Sequence, residues 1–183
     1  KTIVALHRAV YLARQHPDAR LLLTTFSDTL ANALRTRLRR LIGNEPRLGE
    51  RLEVQALNAL GERLYAARFG PAQIASREQM QVLLATAAAA SELKFSPRFL
   101  LGEWEDVVDA CQLETWKAYR DVRRLGRKTR LVEAQRAALW AVFERVRASL
   151  QQQGLITHAG VFGRLALALP SRAQPPFDFA VVD

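Results

Sequence analysis

Two short stretches of this chain carry residues that could do chemistry, and the first is FDFAVVD at residues 177–183. Its apolar run, Phe179–Val182, contains β-branched residues and no alternation with polar ones, which is typical of a strand covered on both faces in a parallel sheet. The carboxylate of Asp183 follows this run directly. Because parallel sheets bind ligands just beyond the carboxyl ends of their strands, we expect Asp183 to hold a metal ion or a water molecule.

The second stretch is Lys1-Thr2, at the first turn of a predicted helix. This pair matches the end of a phosphate-binding loop, G-x-x-x-x-G-K-[ST], whose glycines are not in the sequence. In such a loop the backbone N–H groups and the helix dipole hold the phosphates, the lysine reaches the outer phosphates, and the threonine binds magnesium. Asp183 would be the acidic partner that this site needs. The two stretches together predict a nucleotide site within an interval of a larger protein.

Strands and helices alternate in the part of the chain that would position these residues. Residues 3–13 carry apolar side chains at helical spacing, and residues 21–26 form a compact apolar run typical of a buried strand. Helical spacing returns at 30–41, after Ser27 as a candidate cap. A second short strand is predicted at 52–55, and the helix after it ends near residue 70. This order indicates a parallel sheet.

Only helical patterns occur from residue 71 to residue 153. Ser76 and Gln79 resemble a capping box, and Thr129 is the predicted cap of the longest helix. A last helix, at about 157–169, leads into the final strand. We therefore predict an α/β fold with three parts: 1–70, an all-helical insertion at 71–153, and a return to the sheet at 154–183.

Composition excludes several classes of protein. No apolar run approaches the roughly 20 residues of a membrane-spanning helix, and the first residues do not resemble a signal peptide, so we expect a cytoplasmic protein with no membrane partner. The one cysteine, Cys111, excludes an internal disulfide and is expected to be buried. The three scattered histidines form no metal-ligand cluster of His/Cys spacing.

The net charge of +9 indicates a polyanionic partner such as nucleic acid. Most of the basic residues are arginines in a chain rich in alanine and leucine, which is also the composition that a GC-rich genome produces at ordinary surface positions. Charge by itself leaves both interpretations open.

Several stretches resemble the UvrD/Rep/PcrA helicases of superfamily 1, in the order of that family and over nearly the whole chain. TTFSDTLANALRTRL (24–38) resembles the motif Ia region, and LEVQALNAL (52–60) lies where the family has V-x-T-F-H-S. Residues 118–157 look like the helical insertion, and FDFAVVD looks like the Walker B strand. The resemblance implies a partial RecA-like P-loop domain, interrupted by its helical insertion.

The resemblance also implies a nucleotide site with ATP and Mg²⁺ as cofactors. Lys1 would contact the phosphates, Thr2 would bind the magnesium ion, and Asp183 would hold the same ion through its water shell. The catalytic residues among these would be Lys1 and Asp183. The catalytic glutamate of the family would follow Asp183, and it is not in the sequence.

Single-stranded DNA is the partner that the resemblance implies. Phe26 and Ser27 match the motif Ia positions that touch the strand, and an aromatic ring can stack on any base. Phe26 could equally be a core aromatic. Ala56 and Asn58 replace the Thr and His of the next motif, which puts that contact in doubt, although Asn58 could still donate a hydrogen bond. Asp28 is not expected to contact DNA, because a carboxylate near phosphates is unfavourable.

A run of basic residues in the helical block is either a phosphate-binding patch or a solvated helix end. Its members are Arg120, Arg123, Arg124, Arg127, Lys128 and Arg130. Of these, Arg123, Arg124 and Arg127 are the candidate DNA-binding residues.

The expected function is that of a fragment of an ATP-dependent DNA helicase, acting in DNA repair, which couples ATP hydrolysis to movement on single-stranded DNA and at duplex junctions. The fragment alone should hydrolyse nothing, because it lacks the loop glycines, the catalytic glutamate and the second RecA-like domain. Two alternatives from other classes remain open. One is a non-catalytic nucleic-acid-binding module, and the other is a P-loop ATPase that acts on a protein partner.

Overall fold

The computed structural model describes residues 1–91, 94–123, 131–171 and 174–183. The chain divides into two compact units. Unit 1 comprises Lys1–Arg68 and Leu165–Asp183, and unit 2 comprises Phe69–Arg164. The sequence-based boundaries were residues 70 and 153.

The elements of the first part of the chain alternate between helix and strand. They are α1 (Thr2–Gln15), β1 (Leu21–Thr25), α2 (Asp28–Ile42), α3 (Pro46–Arg51), β2 (Leu52–Ala56) and α4 (Leu57–Phe69). The elements that follow are mainly helical. They are β3 (Gln73–Ile74), α5 (Arg77–Ala89), α6 (Pro97–Glu103), a π-helical turn (Trp104–Asp109), α7 (Trp116–Asp121), α8 (Glu133–Gln152), β4 (Leu155–Ile156), α9 (His158–Ala168), a 3₁₀ turn (Leu169–Ser171) and β5 (Phe179–Val182).

Unit 1 is built on a sheet of three parallel strands in the order β2-β1-β5. In the register of this sheet, Leu23 of β1 lies opposite Val54 of β2 and Val181 of β5. Every residue of β1 is buried, as expected for a strand between two others that is covered on both faces. The three predicted strands and their parallel arrangement are confirmed.

The core of unit 1 lies between one face of this sheet and the helices α1, α2 and α3. Apolar side chains from α1 recur at helical spacing and pack against alternate residues of the strands. Each fully buried leucine or valine contributes about 1.5–3 kcal/mol to the free energy of unfolding. The buried members of the core include Leu6, Ala9, Val10 and Ala13 of α1, Leu34 and Leu38 of α2, and Leu21, Leu23, Leu52 and Val54 of the sheet.

The prediction that β5 is covered on both faces is wrong. Phe179 and Val181 pack against the core of unit 1, but Ala180 and Val182 are exposed, and 64% of the surface of Val182 is accessible. In the part of the chain that the structure describes, β5 pairs only with β1 and therefore lies at an edge of the sheet. An apolar run without polar residues does not distinguish a strand that is buried on both faces from one that is buried on a single face, and among the described residues only one face of β5 is packed.

Unit 2 is a helical unit with a small sheet of two strands, β3 and β4, which the sequence did not predict. These strands are parallel and pair Gln73 with Leu155 and Ile74 with Ile156. The pairing ties the residues after α8 to unit 2, which is why the division of the chain falls within α9. Two residues per strand give too short a pattern to recognise in a sequence.

The core of unit 2 is formed by α5, α6, the π-helical turn, α7 and α8. It includes Trp104, Tyr119, Trp140 and Phe143, all buried. The capping box at Ser76 is confirmed: its hydroxyl accepts from the N–H of Gln79 at 3.2 Å, and the Gln79 side chain accepts from the N–H of Ser76 at 2.8 Å.

Two predictions for unit 2 are wrong. The position before α8 is Val132, whereas the predicted cap, Thr129, lies outside the described residues. Cys111 is exposed, because the helix that should have buried it ends with a π-helical turn at Asp109 and the chain then turns away. Within the described residues, no helix is both long enough and apolar enough to cross a membrane.

Candidate functional site

The candidate site lies at the carboxyl edge of the sheet in unit 1. All three strands are parallel, so their carboxyl ends meet at the same edge. Phe26 and Ser27 follow β1, Asn58 is the second residue after β2, and Asp183 follows β5. The backbone N–H of Asp183 donates to the carbonyl of Thr24 over 2.9 Å, which holds the end of β5 against β1.

Helix α1 extends back along the sheet toward this edge. The ring of His16, just after α1, lies 4.7 Å from the ring of Phe179, the first residue of β5. The last turn of α1 is therefore at the amino edge of the sheet. With 14 residues α1 is about 21 Å long, whereas the four residues of β5 span about 13 Å. Because α1 packs on both β1 and β5, its first turn, with Lys1 and Thr2, is expected on the side of the carboxyl edge.

The first turn of α1 has the chemistry of an anion site. The first N–H groups of a helix have no partner within it, and its N-terminus carries the positive end of the dipole. No acidic residue lies in this turn of α1, and the side chain of Lys1 is exposed and makes no capping bond. A phosphate group placed here would meet backbone donors and an ammonium.

Thr2 and Asp183 offer oxygen ligands of the kind that Mg²⁺ prefers. Both side chains are half-buried. The described residues contain no group of three or more His, Cys, Asp or Glu side chains placed around one point. Magnesium does not require one, because it usually keeps several waters and binds through one or two carboxylates together with substrate phosphates. The donor set therefore fits a magnesium ion that arrives with a nucleotide.

Phe26 is available for stacking. Its ring lies at the end of β1 and is 76% exposed, so the alternative that it is a core aromatic is wrong. An exposed aromatic ring presents a flat face on which a nucleobase can stack. Beside Phe26, the hydroxyl oxygen of Ser27 accepts from the N–H of Leu30 and so caps α2. The hydroxyl hydrogen of Ser27 can still be donated to a ligand.

Asn58 is exposed in the first turn of α4, at the same edge. One residue below the edge, Thr24 and Gln55 are register partners on β1 and β2. The hydroxyl of Thr24 and the side-chain oxygen of Gln55 are buried, and neither has a hydrogen-bond partner among the described residues. Sequence reasoning missed this pair. The available signal was a polar residue one position before the end of each strand.

The basic run in unit 2 is described only in part. Arg124 and Arg127 lie outside the described residues, as do Lys128 and Arg130. Arg123 is exposed. Arg120 is paired with Asp121, at 2.8 Å between Nε and Oδ1, and this bond lowers the pKa of Asp121. A local carboxylate therefore compensates the charge of Arg120.

Four of the sequence-predicted site residues thus follow the strand ends at one edge of unit 1, namely Phe26, Ser27, Asn58 and Asp183, and the direction of α1 puts Lys1 and Thr2 on the same side. Arg123 belongs to unit 2. No model of a known protein family matches the chain, and a comparison with curated proteins finds no match either.

Proposed function

We propose that this chain is part of an ATP-dependent DNA helicase or translocase of the UvrD/Rep/PcrA type. Unit 1 is then part of a RecA-like P-loop domain, and unit 2 is its helical insertion. The observation that supports this function best is the shared carboxyl edge, where groups suited to phosphate, magnesium and a nucleobase come from α1 and all three parallel strands.

In this proposal each residue of the nucleotide site has one role. Lys1 reaches the outer phosphates of ATP, and Thr2 binds the magnesium ion that accompanies them. Asp183 accepts hydrogen bonds from the waters around that ion. Bound ATP with Mg²⁺ supplies the phosphoryl group that is transferred to water, and the residues of this chain position it and balance its charge.

Single-stranded DNA binds to the same edge in this proposal. Phe26 stacks on a base without reading its identity, while Ser27 and Asn58 donate hydrogen bonds to the backbone. Arg123, Arg124 and Arg127 contact further phosphates of the strand or of a duplex junction.

The sheet itself supports a coupling between the two ligands. Neighbouring strands are about 4.8 Å apart, and β1, which carries Phe26, is the direct neighbour of β5, which carries Asp183. A small shift at Asp183 would reach Phe26 through the bond from the Asp183 N–H to Thr24. Nucleotide-dependent changes at the end of β5 can thereby alter the affinity for DNA at the end of β1.

The deciding experiment measures ATP hydrolysis by the full-length protein that contains this chain, with and without single-stranded DNA. Lys1→Ala removes the ammonium at the phosphates, and Lys117→Ala is the matched control because Lys117 is an exposed lysine in unit 2. The proposal expects turnover that rises with DNA, is lost in Lys1→Ala and is kept in Lys117→Ala.

The other outcomes point to the alternative functions. Turnover that is indifferent to DNA would favour an ATPase that acts on a protein partner. DNA binding by a folded protein without any turnover would favour a non-catalytic binding module, and either result would overturn the helicase proposal.

A further inference from the structure

Unit 2 contains a cavity of about 380 Å³ that the proposed helicase function does not use. Its walls come from the π-helical turn, the C-terminal half of α8, β4 and the start of α9. This volume is in the range of small-molecule sites. Two acidic and two basic residues line it, together with several polar ones. The charged residues are Asp109, Glu114, Arg147 and Arg164, and the polar ones include Trp104, Gln112 and Thr157.

Arg147 is a half-buried cation on the wall of this cavity. Its guanidinium carbon lies 5.0 Å from the centre of the Trp140 ring, so the group stacks on an aromatic face. Burial lowers the pKa of Arg147, although Glu114 and Asp109 oppose this change. Among the described residues, the guanidinium forms no ion pair and no hydrogen bond. Its fork of N–H donors is therefore open to a carboxylate.

Trp104, also in this wall, carries a buried donor without a partner among the described residues. It is 3% exposed, and its Nε1–H is buried without a hydrogen-bond partner among the described residues. A buried N–H left unpaired costs about 1–3 kcal/mol, so such groups call for a partner. Trp104 is also the first residue of the π-helical turn, a geometry that is frequent at functional sites.

Asp109 supplies the opposite charge. One of its oxygens, Oδ1, accepts from the hydroxyl of Thr157 at 2.8 Å and from the amide of Gln112 at 3.2 Å. Burial raises the pKa of Asp109, and these hydrogen bonds only partly offset that effect. The other oxygen, Oδ2, accepts no hydrogen bond from the described residues. A cation beside Oδ2 would complete the site.

Gln112 is held in place at a conformational cost. Its φ is +48°, in the left-handed region that residues other than glycine rarely adopt. Its side-chain oxygen approaches Gly163 of α9 so closely that a Cβ there would lie 2.6 Å from it. Backbone strain beside a cavity is typical of sites that position a ligand.

We propose that this cavity binds a small zwitterion of the amino-acid type. Its carboxylate accepts hydrogen bonds from the guanidinium of Arg147, and its ammonium donates to Oδ2 of Asp109. An aliphatic side chain lies against the apolar part of the wall, formed by Val108, Leu150 and Leu155.

The mixed charges of the cavity wall disfavour other classes of ligand. A polyanion such as DNA would meet the carboxylates of Asp109 and Glu114, and a simple cation would meet Arg147 and Arg164. A ligand with both charges satisfies both sides of the cavity. All residues of the cavity wall belong to unit 2, whereas the proposed DNA-binding edge belongs to unit 1. The test of the cavity therefore does not depend on the helicase proposal.

The test is a calorimetric titration of the 183-residue chain with three matched compounds. L-Leucine carries both charges, 4-methylpentanoate lacks the ammonium, and 3-methylbutylamine lacks the carboxylate. We expect leucine to bind, and each of the other two to bind at least about tenfold more weakly, because each lacks one charge-assisted hydrogen bond.

Two variants test which residue binds the carboxylate of the ligand and which binds its ammonium. Arg147→Met keeps the apolar stem and should weaken leucine binding at least about tenfold, as should Asp109→Asn. Arg98→Met is the control, because Arg98 is an exposed arginine of unit 2 outside the cavity wall. Circular dichroism checks that each variant is folded, and Arg147→Gln, which also removes the charge, replaces Arg147→Met if the latter does not fold.

Three outcomes would overturn the proposal. They are the absence of leucine binding to the folded chain at millimolar concentration, equal binding of leucine and either singly charged analogue, and unchanged leucine binding in a folded Arg147 variant.

Discussion

The backbone N–H of Leu30 donates to the hydroxyl oxygen of Ser27 over 3.2 Å, so the residue that is a candidate DNA contact is also the cap of α2. Replacing this hydroxyl should therefore affect stability as well as binding. We expect Ser27→Ala to lower the free energy of unfolding by about 1 kcal/mol, and Ser27→Asp to leave it nearly unchanged, because aspartate caps helices as well as serine does. Urea unfolding of the chain measures both.

The same pair of variants separates the two roles of Ser27. Ser27→Asp keeps the cap but places a carboxylate where the proposal puts a DNA phosphate, so single-stranded DNA should bind more weakly to the full-length protein than it does in Ser27→Ala. Fluorescence anisotropy with a labelled oligonucleotide measures this. Equal affinities for the two variants would remove Ser27 from the DNA surface and leave it as a cap.

Phe26 should contribute to DNA affinity through stacking. Loss of one base stack costs about 1–3 kcal/mol, so Phe26→Ala should weaken single-stranded DNA binding by roughly 5- to 150-fold with little dependence on base sequence. Because the ring is 76% exposed, the variant should lose little stability. Tyr11→Ala is a suitable control, since Tyr11 is a 54% exposed aromatic residue on α1. The idea fails if Phe26→Ala and Tyr11→Ala bind DNA alike.

The arginines of unit 2 should appear in the salt dependence of DNA binding. Each phosphate contact on a single strand adds about 0.7 to the slope of log K against log salt concentration. Replacing Arg123, Arg124 and Arg127 together with glutamine should reduce the slope by about 2. A control with equal charge change replaces the exposed residues Arg47, Arg68 and Arg98. An unchanged slope in the first triple variant would show that this run is a solvated helix end.

Asp109 should give the free energy of unfolding a distinct pH dependence. Its pKa in the folded protein is raised above 3.8, mainly by burial, so the folded state binds this proton more tightly than the unfolded chain. The contribution of Asp109 is therefore most favourable at acidic pH and declines as the pH rises from the unfolded pKa through the folded one. Relative to wild type, Asp109→Asn should become more stable across that window, measured by urea unfolding at several pH values.

Asp121 provides a control of opposite sign. The hydrogen bond from Arg120 lowers the pKa of Asp121, so its contribution is present above the unfolded pKa of 3.8 and is lost as the pH falls through the folded value. Asp121→Asn should therefore lose stability relative to wild type as the pH rises. A pH-independent difference between wild type and Asp109→Asn would contradict the assigned burial of Asp109.

Much of the fold followed from local patterns in the sequence. The strand at Leu21–Thr25 begins with three consecutive leucines, and the capping box at Ser76 is a pattern of four residues. Such features can be predicted from the sequence because each depends on residues that are neighbours in the chain. The π-helical turn and the pairing of β3 with β4 could not be predicted from the sequence, because they depend on packing between segments that are far apart in sequence.

For the site, the sequence by itself determined which residue types could bind phosphate, magnesium and a base, namely Lys1, Thr2, Asp183 and Phe26. Only the tertiary structure decided where they lie, because strand order and the direction of α1 bring the ends of the chain and the end of β1 to one edge. It also decided the exposure of Phe26 and of Val182, since an apolar residue looks the same in a sequence whether or not another element covers it. The cavity beside Arg147 depended wholly on tertiary structure, because its opposite charges come from segments that only packing brings together.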